Sequence, residues 1–197
     1  MKYKNIPFIL ASTSPRRKEL LTRFGVKFTV AKSSFEESHE QWPDPVEYVK
    51  AQARGKAEHV ILEDSAPDEY IVLGADTIVA WNGELLGKPI DDADAVRMLT
   101  ELSGQAHQVI TGMCLRYVNR KTGEKRSISF SDTTDVIFYE LSMEEIKAYV
   151  ATGEGRDKAG AYGIQGLGGY LVKGIEGSYT NVVGLPVEVV LRKINDL

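Results

Sequence analysis

FILASTSPRRKELL, residues 8–21, is the stretch from which the rest of the chain is read. Phe8, Ile9 and Leu10 form a short apolar run that suits a buried strand. Ser14 is a good N-cap, Pro15 fits the first helical position, and Leu20, Leu21 and Phe24 supply an apolar face, so a helix follows the strand after a polar turn. Arg16 and Arg17 then fall in the first helical turn, where unpaired N–H groups and the positive end of the macrodipole disfavour each cation by roughly 0.3–1 kcal/mol. A turn with free N–H groups, two hydroxyls (Ser12 and Ser14) and two guanidiniums suits a bound anion. Phosphate fits best, because the planar fork of arginine matches its oxygens. The alternative is a solvated helix face on which the arginines pair with acidic neighbours such as Glu19.

Outward from this turn, 197 residues with 43% hydrophobic content can bury a core without disulfides or metal, and one domain spanning residues 1–197, with room for two lobes, is expected. Twenty-four Lys and Arg against 28 Asp and Glu leave a net charge of −4, so no global basic field exists to hold a long nucleic acid. Any polyanion contact is local. The single cysteine, Cys114, lies in an apolar setting and reads as an inert core thiol in a reducing compartment. The apolar run from Ile6 to Ala11 is interrupted by Pro7 and too short for a signal peptide, and no stretch approaches the roughly 20 apolar residues of a membrane span. A soluble, cytoplasmic protein is the expectation.

The pattern along the chain predicts a strand at 27–31, an acidic loop at 33–37, and a helix over 45–62 with Val46, Val49, Ala53, Ala57, Val60 and Ile61 on one face. Lys56 falls at or beside that stripe, either as a snorkelling stem or as a ligand, and Gly55 permits a close approach. Residues 70–81, YIVLGADTIVAW, form a nearly continuous β-branched run suited to a central strand. Asn82-Gly83 is a type I′ hairpin signal that turns the chain back through 84–88. Asp91 or Asp92 caps a helix to Leu102, stopped by Gly104. Strands are expected at 108–117 and 126–139, and Ser142 with Glu145 makes a capping box for a helix ending near Gly153. A strand at 170–175 and a last helix at 186–194 complete a mixture that indicates α/β or α+β architecture rather than a simple Rossmann array.

Asp76 is the second anomaly, because a carboxylate inside an apolar strand costs several kcal/mol unless a cation, a metal or a set of donors compensates it. Counting back from the hairpin turn sets Thr77 opposite Lys88, one residue out of phase with Asp76, and a bulge at Gly87 could re-aim the lysine. A buried Asp76–Lys88 pair without chemistry is one reading. The other is phosphoryl chemistry with a divalent cation, in which the carboxylate holds metal or deprotonates water while cations neutralise the leaving phosphates. Glu37 could supply a second oxygen ligand, and magnesium suits one or two carboxylates plus substrate phosphates. Residues 158–169, KAGAYGIQGLGG, lack the GxGxxG spacing of a dinucleotide fingerprint. Their glycines would let backbone approach a ligand and Gln165 could read the imide edge of a pyrimidine, although an ordinary glycine-rich hairpin loop fits the spacing too. His39, His59 and His107 show no metal-ligand spacing, and neither a Walker A pattern nor the Glu-rich Nudix signature is present.

At these residues the chain resembles the Maf family of nucleotide pyrophosphatases over almost its whole length. LASTSPRRKELL looks like that family's opening signature, GADTIV with the following GKP like its catalytic hairpin, and DKAGAYGIQG like its third motif. The resemblance implies an α/β Maf/Ham1-like fold, a central mixed sheet with two lobes about a cleft. It also implies hydrolysis of a nucleoside triphosphate to the monophosphate and pyrophosphate with magnesium or manganese. By motif position, Asp76 is the implied proton acceptor, and Ser12, Arg16, Arg17, Glu37, Lys56 and Lys88 fall where phosphate and metal contacts lie. Arg16, Thr77 and Gln165 occupy base-discriminating positions and resemble the dTTP/UTP-cleaving branch, with modified pyrimidine nucleotides among the implied substrates; Thr77 could equally be an ordinary strand threonine. The family also suggests a homodimer, and its association with septum formation suggests an alternative: a nucleotide-sensing regulator of cell division that acts through partner binding.

Overall fold

The computed structural model describes residues 5–37 and 44–197. His39, weighed above, lies outside the described residues. Among the described residues seven strands form one mixed sheet in the order β2-β1-β3-β5-β6-β7, with β4 paired to β3, and the chain divides into two compact units. One comprises residues 1–76, 111–132 and 184–197; the other comprises 77–110 and 133–183.

In the first unit, β1 (Phe8–Leu10) is buried throughout and pairs in parallel with β2 (Thr29–Val30) and with β3 (Glu69–Trp81), setting Leu10 beside Leu73. The helix α1 (Pro15–Arg23) buries Leu20 and Leu21 as expected, but Phe24 is its C-cap and is 45% exposed rather than part of the apolar face. β2 retains only two of the five residues expected, both exposed. Helix α2 (Pro45–Glu58) starts at Asp44, whose carboxylate accepts from the Val46 N–H at 2.8 Å, and buries Val49, Ala53 and Ala57. It ends before Val60 and Ile61, which were expected on its apolar face. The backbone there is captured by the preceding loop: Val60 bridges Ser33, and Ile61 N–H donates to the Lys32 carbonyl at 2.8 Å. Ile61 is left 59% exposed.

Two glycines let α2 lie directly on the sheet. A Cβ on Gly74 would stand 2.1 Å from the Ala53 carbonyl oxygen, and one on Gly112 would stand 2.3 Å from that of Val49. Any larger residue displaces helix backbone, which has no rotamer to yield. Ile9, Ala11, Ala53, Ala57, Tyr70, Val72, Cys114 and Val118 form the core here. Burial pushes the Cys114 thiol above its ordinary value, as suits an inert packing residue.

The second unit begins as β3 runs on through Trp81 into the hairpin, where Asn82 and Gly83 adopt φ of 48° and 80° as a type I′ turn requires. The return strand β4 (Glu84–Leu86) pairs Trp81 with Glu84 and Val79 with Leu86, in the register expected, and stops there. Helix α3 (Asp92–Leu102) is capped by Asp91 and packs on α4 (Met143–Ala151), whose Ser142–Glu145 capping box forms as read. β5 (Ala106–Asn119) is longer than expected, and β6 (Lys125–Phe138) has the expected length one residue earlier. Two 3-10 turns, Ala159–Ala161 and Gly166–Leu171, occupy the glycine-rich stretch before β7 (Val172–Glu176) pairs antiparallel with β6. A short helix α5 (Tyr179–Val183) was not legible in the sequence; the last, α6 (Val187–Lys193), was.

Within this unit His107 is 3% exposed, with Nε2 2.7 Å from the Tyr162 hydroxyl and its ring edge-on to Phe138 at 4.9 Å. Its Nδ1 has no hydrogen-bond partner among the described residues, and burial pushes its pKa down to about 4.

Two consequences are measurable. Gly74→Ala forces α2 off the sheet and should lower stability by about 2–3 kcal/mol in urea denaturation. His107 stays neutral in the native chain to about pH 4, while the unfolded chain takes the proton near pH 6.5, so stability is lost as pH falls through that window. The loss should reach about 3 kcal/mol, and His107→Gln should flatten the slope of stability against pH between those limits.

Candidate active site

The first unit gathers the charged residues that the sequence singles out. After β1, the Ala11 N–H continues the ladder to the Leu73 carbonyl at 2.9 Å, and the chain then turns into α1. Ser12 Oγ accepts from the Ser14 N–H and from Arg17 Nη1, both at 3.3 Å. Ser14 occupies the N-cap position, yet its side chain makes no capping bond, so the hydroxyl that orders this turn is that of Ser12. Arg17 Nε donates to the Gly184 carbonyl at 2.9 Å, which ties the start of α1 to the segment entering α6. Burial, with Arg16 beside it, outweighs the support of Asp76 and Glu37 and lowers the affinity of the Arg17 guanidinium for its proton. Both carboxylates therefore act on Arg17. Glu19, the acidic neighbour weighed in the solvated-face reading, pairs with Arg23 one turn further on.

Asp76 stands in β3 with its side chain 12% exposed, and its partner is Lys56 rather than Lys88. Lys56 Nζ lies 2.6 Å from Asp76 Oδ1 and 2.8 Å from Glu37 Oε1, with its own side chain 14% exposed. Two carboxylates from different segments thus converge on one ammonium. Gly55 does admit a close approach: a Cβ there would stand 2.3 Å from the Phe35 ring. That contact seats the 33–37 loop on α2 and carries Glu37 to Lys56. Tyr48, two turns before Lys56 on α2, was not anticipated; burial first, then Asp76 and Glu37, raise its hydroxyl above the ordinary value. No local signal marks it in the sequence, because its neighbours Asp76 and Glu37 come from other segments.

Among the described residues no group of three or more His, Cys, Asp or Glu is placed to hold a metal ion. The donor set nevertheless fits a hard divalent cation, because two carboxylates reach within 3 Å of a single point of positive charge. Magnesium takes that number of protein oxygens and completes its shell with water and phosphate.

The remaining sequence-predicted residues belong to the second unit. Thr77 follows Asp76 in β3 and is half-buried. Lys88 is exposed, beyond the end of β4, so the extended register that would set it opposite Thr77 does not form. Gln165 is half-buried and opens the Gly166–Leu171 turn, without capping it through its side chain.

Comparison with known proteins identifies the family. A model of the family described as Maf-like protein matches residues 7–197, and the chain belongs to this family. A protein named dTTP/UTP pyrophosphatase from Halalkalibacterium halodurans is 46% identical over 95% of this chain and 94% of its own length. One of the same name from Agathobacter rectalis is 43% identical over 96% of each. A solved HAM1 protein from Coxiella burnetii aligns with 69% of this chain and 74% of its own at 15% identity and a TM-score of 0.41.

Removing the shared cation isolates the two carboxylates. Lys56→Met should cost about 2 kcal/mol in urea denaturation, less than breaking a fully buried pair because Glu37 keeps 47% of its side chain in solvent. Glu37→Gln should cost under about 1 kcal/mol in the same measurement.

Proposed function

We propose that this Maf protein is a nucleoside triphosphate pyrophosphatase that hydrolyses dTTP and UTP, and modified pyrimidine nucleotides of the same shape, to the monophosphate and pyrophosphate. The observation that carries the reading is the ammonium of Lys56 shared by Asp76 and Glu37, inside the field that also acts on Arg17. Relatives of that name at 43–46% identity over nearly the full chain support the substrate class.

Water attacks the α-phosphorus, and the bond from that phosphorus to the oxygen bridging to the β-phosphate breaks. Asp76 takes the proton from the water. Arg17, half-buried and fixed on Gly184 and Ser12, meets phosphate charge without first being ordered. Arg16, Lys56 and Lys88 add positive charge for the departing pyrophosphate, and Ser12 offers its hydroxyl. Asp76 and Glu37 would hold magnesium or manganese, which when bound neutralises charge on the phosphate oxygens. Arg16, Thr77 and Gln165 set the preference among bases, by analogy of motif position. Both compact units serve one Maf-like domain in this reading. The enzyme works in the cytoplasm as a homodimer; among the described residues no helix is long and apolar enough to cross a membrane.

Asp76→Asn removes the proton acceptor but keeps a group of the same size. Its rate of pyrophosphate release from dTTP and UTP with magnesium should fall by about 10²–10⁴-fold, with the thermal midpoint within a few degrees of the parent. Turnover close to the parent's would remove Asp76 from the chemistry. Tight nucleotide binding by the parent protein without product would favour the sensor of cell division instead.

A further inference from the structure

Glu154, which has no role in the chemistry above, is the point on which the loop around Gln165 is fastened. It lies just beyond α4, partly buried. Its Oε1 accepts from the Gly168 N–H at 2.8 Å and its Oε2 from the Leu167 N–H at 3.0 Å. The Tyr149 hydroxyl donates to Oε1 at 3.2 Å and itself accepts from the Gly163 N–H at 3.3 Å. Backbone donors on both sides of Gln165 therefore end on one tyrosine–glutamate pair. Lys158 closes the same knot, with Nζ donating to the Glu154 carbonyl and its stem against Gly163.

The fit is close enough to exclude other residues. A Cβ on Gly168 would stand 2.1 Å from the Gly163 carbonyl oxygen and 2.8 Å from Tyr149 Oη, so the two ends of the loop touch. Burial alone would favour the neutral form of Glu154. The Gly168 and Leu167 N–H groups, the Tyr149 hydroxyl and the charge of Lys158 outweigh it and hold the carboxyl below the usual carboxylate range. A carboxylate offers acceptors on both oxygens, and an amide offers only one, so two diverging N–H bonds and a hydroxyl select Glu over Gln. The same bonds fix the backbone beside Gln165 and leave its side chain out of the cap.

We propose that Glu154, with Tyr149 as its relay, is a positioning residue that sets the Gln165 loop and through it the discrimination among nucleotide bases, without itself touching substrate. This rests on the reading that Gln165 meets the base.

The test uses the full chain with magnesium and compares the parent, Glu154→Ala, Glu154→Gln, Tyr149→Phe and Gln165→Ala. Amide hydrogen exchange over residues 163–169 reads the loop directly, and kinetics with UTP and CTP read the preference. Glu154→Ala should speed exchange at Leu167 and Gly168 by about tenfold or more. It should raise KM for UTP by about five- to tenfold with kcat within about twofold, and bring the UTP-to-CTP preference toward that of Gln165→Ala. Glu154→Gln, keeping one acceptor, should fall between. In the double variant Glu154→Ala/Gln165→Ala the preference should drop no further. Unchanged exchange at Leu167 and Gly168, or a fall in kcat with the preference intact, overturns the proposal. If exchange speeds up but Gln165→Ala leaves the preference unchanged, the role given to Gln165 fails while the hold of Glu154 on the loop stands. Should Glu154→Ala not fold, Glu154→Gln and Tyr149→Phe carry the same comparison with the same deciding results.

Discussion

A carboxylate in the middle of an apolar strand is the constraint around which the first unit is built. Burying Asp76 is costly without a partner, and the partner is supplied by a helix that must lie close enough for a lysine stem to reach. The glycines at 74 and 112 set that distance by removing the side chains that would hold α2 away. Phe35 on Gly55 then brings a second carboxylate to the same ammonium. Packing decisions made by small residues thus fix an electrostatic arrangement made by charged ones, and loosening the first dissolves the second.

Arg17 illustrates the same dependence. A guanidinium in the first turn of a helix meets both the macrodipole and a desolvation penalty. It is kept there by a carbonyl from the segment before α6 and a hydroxyl from its own turn. The fold therefore maintains a cation in a place that disfavours it, within the field of Asp76 and Glu37. In the proposed reaction the triphosphate would relieve this, since it brings negative charge to Arg17.

How much of this was legible in the sequence differs by residue. Asp76 and the two arginines stood out because each violates a local rule, and local violations are visible without a fold. The partner of Asp76 was not, because the hairpin offers only Lys88, one residue out of phase and in need of a bulge, whereas the ion pair forms with Lys56 of α2, a tertiary contact that no spacing encodes. Helix α2 was read four residues too long, since apolar periodicity continues through Val60 and Ile61 while the backbone is claimed by the loop at 32–34. The capping box at Ser142 and the Asn82-Gly83 turn were readable because their chemistry is complete within a few residues. Tyr48 and Glu154 escaped for the opposite reason. Both are ordinary residues at ordinary positions, and only packing gives them neighbours.

The glycine-rich stretch shows why composition alone was ambiguous. Glycines that let backbone approach a ligand and glycines that let backbone approach itself look identical in sequence. Here Gly168 lies against the carbonyl of Gly163, so at least this one serves the loop's own closure. That closure leaves N–H groups turned toward a common point, and a carboxylate is the side chain that answers several of them at once. The loop is then rigid for a reason internal to the second unit, whatever meets Gln165. Rigidity of that kind is what discrimination between similar bases demands, because an amide that can re-aim its donor and acceptor accepts either hydrogen-bond pattern.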